Sequence, residues 1–176
     1  MTATNLAEQY DLPTLDLDTV RGRLDQGFDQ APGSEGPDRH TCWLTTIKPD
    51  GSPHVTGVGA LWVDGAFWFE TGAGTRKGRN LARDRRCVLS LALRELDLVV
   101  EGSATQVTDP EIVAARAAVW AAGGWPCEVD ESGTALTAPF SAPSAGRPPW
   151  HVYRIEPTSM TALLTVEPGG ATRWTF

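Results

Sequence analysis

The chain has 176 residues, 41% of them hydrophobic, and a formal charge of −7, which suits one well-packed domain and is too short for two ordinary ones. The acid excess excludes general nucleic-acid binding, because counterion release needs a broad basic surface. Cys42, Cys87 and Cys127 are odd in number and contain no CxxC pair, excluding a disulfide framework and a zinc cluster and fitting a reducing cytoplasm.

Leu17, Val20, Leu24 and Phe28 recur at three- and four-residue steps, predicting an amphipathic helix over residues 14–30 despite Gly22 and Gly27, ended by the proline- and glycine-rich residues 31–37. The first twenty residues lack a basic start and an apolar core, and no apolar run approaches the roughly 20 residues of a membrane helix, so neither targeting nor anchoring is expected. From His40 the pattern becomes strands: residues 42–47, a turn, 53–63, an Asp64-Gly65 turn, then 66–71, an antiparallel meander. Residues 87–93 and 98–108 read as two more. Asp109 is the expected cap and Pro110 the first position of an alanine-rich helix that Gly123 and Gly124 stop. Residues 125–149 carry five prolines and read as a long ordered loop. Strand character resumes at 151–155 and 161–166, and Gly169-Gly170 leads to the closing residues 172–176. Short strands with two or three helices predict a closed barrel, since closure removes exposed edges.

The most informative stretch lies between residues 69 and 91, where a hydrophobic strand enters a small-residue turn and then a basic helix start. Six of the fifteen basic residues fall between Arg76 and Arg86, and against an acidic background such a cluster focuses a small anion better than a long polyanion. Thr75 is the expected N-cap, with Arg76, Lys77 and Arg79 in the first turn. Cations at that end oppose the helix dipole by roughly 0.3–1 kcal/mol each, so three of them point to an anion held by amides and side chains together. The plainer reading is a solvated basic face. Asn80 either donates to the ligand or caps locally, while Arg83, Arg85 and Arg86 are expected to be solvated.

Gly57 and Gly59 remove side chains from a strand, marking either a barrel-corner bend or a close approach of backbone to a ligand. Of seven tryptophans, most are expected in the core, but Trp125 and Trp150 bracket the proline-rich loop and are candidates for a pocket wall or a subunit interface. His40, His54 and His151 are too scattered for a metal site, and no nucleophile with a partnered base can be assembled from order alone.

The core Thr75-Arg76-Lys77 with Asn80-Leu81, preceded by 53–56 and 63–69 and followed by 87–90, resembles the phosphate-binding turn of the pyridoxamine 5'-phosphate oxidase-like superfamily of flavin and deazaflavin proteins. The run His54-Val55-Thr56-Gly57-Val58-Gly59 followed by residues 75–81 looks most like the actinobacterial F420-dependent oxidoreductases of the B group. The resemblance covers residues 40–108. It implies a mainly β chain with peripheral α, a split β-barrel at residues 37–176 behind a helical extension at 1–36, and a single domain overall. It further implies cofactor binding by His54, Thr56, Gly57, Val58, Thr75, Arg76, Lys77, Arg79 and Asn80, with a ring edge against the backbone of residues 56–58. The implied cofactor is F420, with FMN the alternative; the implied activity is hydride transfer from reduced deazaflavin to an unsaturated small molecule in a homodimer with a shared cofactor site. A non-catalytic carrier or sensor of flavin, deazaflavin or haem is the rival class. Between Pro53 and Thr75 there is no arginine or lysine, where flavin-dependent pyridoxamine phosphate oxidases place one, and their arginine-rich C-terminal pattern is not evident in 159–176.

Overall fold

The computed structural model describes residues 1–28, 30 and 40–176. Residues 31–37, expected to end the first helix, lie outside them, as does the boundary expected at 36–37.

Strand β1 (Thr2–Asn5) opens the chain and is followed by a 3-10 turn (Glu8–Tyr10) and helix α1 (Leu17–Asp25). The helix is shorter than its pattern predicts. Asp16 caps it by accepting from the Thr19 amide at 3.0 Å, and Leu17, Val20 and Leu24 are buried on one face; Gly27 then takes a left-handed φ of 79°, a conformation open to glycine at little cost that helical residues do not adopt. Strand β2 (Cys42–Ile47) forms where predicted. The single strand expected over 53–63 is two, β3 (Pro53–Val58) and β4 (Leu61–Val63), interrupted at Gly59 and Ala60. Strand β5 (Ala66–Gly72) then leads through Ala73, Gly74 and Thr75 into α2 (Arg76–Arg83).

Strands β6 (Arg86–Leu93) and β7 (Leu96–Val107) form a hairpin, and α3 (Pro110–Ala122) follows with Asp109 and Pro110 in the predicted roles. The proline-rich segment holds only β8 (Glu128–Val129) and β9 (Leu136–Thr137). The two strands expected over 151–166 are one, β10 (Trp150–Leu164), whose register against β7 shifts between Pro157 and Ser159. A Cβ at Gly102 would stand 2.2 Å from the Glu156 carbonyl oxygen, so the two backbones meet there more closely than any side chain allows. Strand β11 (Gly170–Thr175) closes the chain and pairs with both β10 and β1. The N-terminal segment therefore supplies a strand as well as a helix.

The strand order is β1-β11-β10-β7-β6-β2-β3, with β5 also on β10 and β4 on β5. The sheet curls without closing, so the full closure expected from strand spacing is replaced by a split β-barrel. Break points are physical: β3 pairs only with β2 among the described residues, because Gly59 and Ala60 end its ladder before it reaches β4. The main core fills the barrel with Leu44, Phe67, Phe69, Leu89, Leu98, Val100, Ile155 and Trp174. A second apolar cluster lies on the other face of β5, where Trp68, Trp120, Val113, Leu136, Trp150 and Val152 pack together. Strand β5 is consequently buried at every residue. Arg116 of α3 fastens that outer layer, lying 4.8 Å over the Trp68 ring and pairing with Asp64 at 2.9 Å.

Candidate functional site

At the end of β5 the chain turns within three residues, and the Thr75 hydroxyl organises the turn. It accepts from the Gly78 amide at 3.0 Å and lies 2.9 Å from the Gly72 carbonyl oxygen and from Oγ1 of Thr71. Gly78 is required because a Cβ there would stand 2.4 Å from the Gly72 carbonyl oxygen. Thr75 is thus the cap that its position predicts, and its hydroxyl is already committed within the turn. With Gly78 satisfied, the amides of Arg76 and Lys77 are the open donors of the first turn.

The cations expected together are divided by burial. Arg76 and Arg79 are exposed, and Arg79 donates to the Gly74 carbonyl, bracing the turn from outside. Lys77 instead points inward, is buried, and donates to the Ser144 carbonyl. Asn80 is also buried, and its amide donates to Thr46 Oγ1 at 3.0 Å, which ties α2 to β2. Thr46 is the register partner of His54 on β3. His54 has a buried Nδ1 with no hydrogen-bond partner, and desolvation, with the charge of Arg76 second, pushes its pKa down. One corner therefore gathers His54, Thr75, Arg76, Lys77, Arg79 and Asn80. Arg83, Arg85 and Arg86 are exposed; Arg83 donates to the Ile47 carbonyl and Arg86 pairs with Asp84.

Beside this corner lies a cavity of about 480 Å³ whose walls include Gly57, Val58, Gly59, Leu61, Glu70, Trp120 and Trp125. That volume falls within the roughly 300–1,000 Å³ of small-molecule sites. A Cβ built on Gly59 meets nothing within 4 Å, so the missing side chain leaves room at the wall. Of the backbone stretch expected to meet a ring, Gly57 and Val58 line the cavity. Thr56 does not, its hydroxyl lying 3.5 Å from the neighbouring Gly57 carbonyl. The cavity adjoins the basic turn through Ser144, which lines the one and holds Lys77 of the other.

The residue sequence reasoning missed is Glu70. It is only 5% exposed, it lines the cavity, and its Oε2 is buried without a hydrogen-bond partner. Desolvation raises its pKa to about 8, against a smaller opposing pull from its backbone and from the Lys77 ammonium. Burial lowers Lys77's in turn, with Glu70 opposing. A lone carboxylate inside an otherwise apolar strand was the available signal. The proline-rich segment, expected as a long ordered loop, covers this face of β5: Gly72 donates to Ala145 at 2.9 Å, and Trp125, Ala142, Pro143 and Ser144 complete the cavity wall. Trp150 is fully buried in the outer cluster, its ring tilted 39° against that of Trp125 at 5.0 Å. It is unavailable as an interface anchor. The three cysteines are free and buried, and burial raises their thiols to about 12, 12 and 11 in chain order.

The chain is thus a split barrel with a largely apolar cavity beside a basic helix start. The model of the pyridoxamine 5'-phosphate oxidase family matches residues 35–163, well over half of the chain, and the chain belongs to that family. The pyridoxine/pyridoxamine 5'-phosphate oxidase of Bordetella petrii is 27% identical, over 90% of this chain and 84% of its own. Among solved structures, a conserved hypothetical protein of Mycobacterium tuberculosis superposes with a TM-score of 0.58 at 24% identity, covering 85% of this chain and 84% of that one. A pyridoxamine 5'-phosphate oxidase-related, FMN-binding protein of Nostoc punctiforme gives 0.56 at 14% identity, over 88% and 87%. At these identities both structures speak to the fold alone. No helix among the described residues is long and apolar enough to cross a membrane.

Proposed function

We propose that this chain is an oxidoreductase that uses reduced coenzyme F420 to deliver a hydride to an unsaturated small molecule. The observation that carries the reading is the juxtaposition of an apolar cavity, floored by β5, with the exposed cations and open amides at the start of α2. The residues fit such a group. Arg76, Arg79 and the amides of Arg76 and Lys77 would hold an anionic tail, and Gly57 and Val58 would meet the ring, with the room left at Gly59 beside them. His54, held neutral by its surroundings, would contact the tail through its unpartnered Nδ1.

When bound, the reduced cofactor supplies the hydride. The chain supplies position and an apolar setting. Trp120, Trp125 and Leu61 give the cavity apolar walls, and the Lys77–Ser144 bond holds the covering segment against the helix that carries the tail-binding cations. F420 is favoured over FMN because the exposed arginines spread along the turn, suiting a tail longer than one phosphate, and because no arginine or lysine stands between Pro53 and Thr75.

A homodimer with a shared site belongs to the same reading, with different anchors from those expected. The outer face of β2 and β3 exposes Trp43 at 50% and Val55 at 56%, and the register sets Val88 opposite Thr45 and Val99 opposite Ser90. An apolar face on an open sheet edge, next to the ring-binding backbone, suits a second copy of this chain. The deciding experiment is a side-by-side binding titration with F420, FMN and FAD, then turnover with whichever binds. FMN binding about tenfold tighter than F420, roughly 1.4 kcal/mol, overturns the cofactor assignment, and tight binding without turnover of any enone or related acceptor favours a carrier.

A further inference from the structure

Glu70 has no task in the binding scheme above, and its position is costly unless it has one. Its neighbours on β5 alternate between two apolar layers: Phe69 faces the barrel core and Trp68 the outer cluster. Glu70 follows Trp68 by two residues and so faces outward, under Trp120 and the segment 125–144, at the cavity wall. The titratable and charged groups around it are Lys77 from α2, Cys127 from the covering segment and His40 across the cavity. No ion pair joins Glu70 to Lys77, whose ammonium is turned to the Ser144 carbonyl.

An ionised carboxylate there would keep an oxygen out of water with no donor to satisfy it, which costs far more than burying the neutral acid. The neutral acid avoids that charge, and the residue that carries it lines the cavity wall.

We propose that Glu70, carrying a proton inside the cavity, is the acid that protonates a carbonyl-bearing, α,β-unsaturated substrate. This rests on the reductase reading. Hydride addition, from the reduced deazaflavin or flavin, forms a C–H bond at the β-carbon; the carbon–carbon π pair becomes a π bond between the α-carbon and the carbonyl carbon, and the carbonyl π pair moves onto the oxygen. The Glu70 O–H bond breaks, its electron pair stays on the carboxylate, and the proton goes to that oxygen. The enol so formed rearranges to the saturated ketone. Glu70 takes a proton back from solvent, and the nearby Lys77 ammonium steadies the transient carboxylate. The substrate class that follows is a neutral enone or enal; a carboxylate-bearing acceptor would gain nothing from a neutral acid with no fixed cation facing the cavity.

The test needs no turnover. In apo protein labelled with ¹³C at the glutamate carboxyls, the Glu70 signal is assigned by its loss in Glu70→Gln and followed against pH, alone, with cyclohex-2-enone, and with F420 or FMN. The expected midpoint without ligand lies near 8, and the enone raises it. In Lys77→Met the midpoint rises further, because the charge favouring ionisation is gone. Enone affinity in wild type is expected to fall about tenfold or more between pH 6 and pH 10, the loss of one hydrogen bond to a now ionised group, while in Glu70→Gln it is flat. A Glu70 signal already ionised at pH 6, an enone that does not bind, or a midpoint that moves with cofactor and not with enone overturns the proposal. Because the first two readings are taken without cofactor, they leave the F420 titration untouched, and a failed F420 titration leaves them standing.

Discussion

The floor and the rim of the site are made of similar residues in opposite surroundings. On the floor, Glu70 and Lys77 are buried between β5, α2 and the covering segment; on the rim, Arg76 and Arg79 occupy the same helical turn in open solvent. The pKa directions of the floor pair follow from desolvation, whereas the rim arginines are free to meet a ligand's charge. The same contrast separates the strands: β5 is buried throughout, while β3 leaves Val55 outward. Proximity in sequence therefore says little about role here. Which side of the covering segment a charge falls on decides whether it is buried or faces solvent.

The sharpest way to break this comparison is to weaken the floor. Phe69 is fully buried in the barrel and stacks on Tyr153 at 5.2 Å, so Phe69→Ala is expected to lose about 3–5 kcal/mol in chemical denaturation. A loss under 1 kcal/mol would mean that β5 is not the packed centre between the two layers.

The pH dependence of stability tests the floor's electrostatics. Glu70 binds its proton more tightly folded than unfolded, so the stability it contributes is complete below its ordinary value of 4.5 and is lost as pH rises through about 8. Lys77, lowered by burial, acts in the opposite sense at more alkaline pH. Asp16, Asp50 and Asp84, all lowered, act only in acid. The difference between wild type and Glu70→Gln isolates the first window: the variant should gain on wild type steadily from pH 5 to 8 and then run parallel. Parallel curves throughout would show an ionised, structurally paired Glu70.

At the rim, Arg76→Ala and Arg79→Ala should each weaken F420 binding on the order of tenfold at low salt, as loss of a charge-assisted contact does, and flatten its salt dependence. Arg85→Ala, an exposed site beyond the turn, should change it little. Equal effects from all three would return the basic turn to a solvated face. Smallest in its effect on the fold is Val55→Ser on β3, expected within about 0.5 kcal/mol for a surface site, yet shifting the light-scattering mass of dilute protein toward the monomer. A stable monomer that still binds one cofactor with full affinity would remove the shared site.

Much of the scaffold was legible in the sequence because local chemistry fixed it. Cap and proline at Asp109 and Pro110, the Thr75 cap and strand β2 all follow from short-range bonding and alternation, and they stand where those signals put them. The break at Gly59 and Ala60 and the merging of two predicted strands into β10 were misread, because a register shift at Pro157 and a gap at two small residues are set by the neighbouring backbone, here Gly102 against Glu156.

What the sequence alone determined was the capped starts of α2 and α3 and the cluster of cations in the basic turn. Only the tertiary structure decided which of those residues face water. Residues 125–149 contain little regular pairing of their own, yet folded over β5 they cover its outer face, turn Lys77 from a surface cation into a clamp on Ser144, and leave Glu70 buried with an unpartnered carboxyl oxygen. Burial depends on what a distant segment covers, and a strand's own pattern does not carry that information.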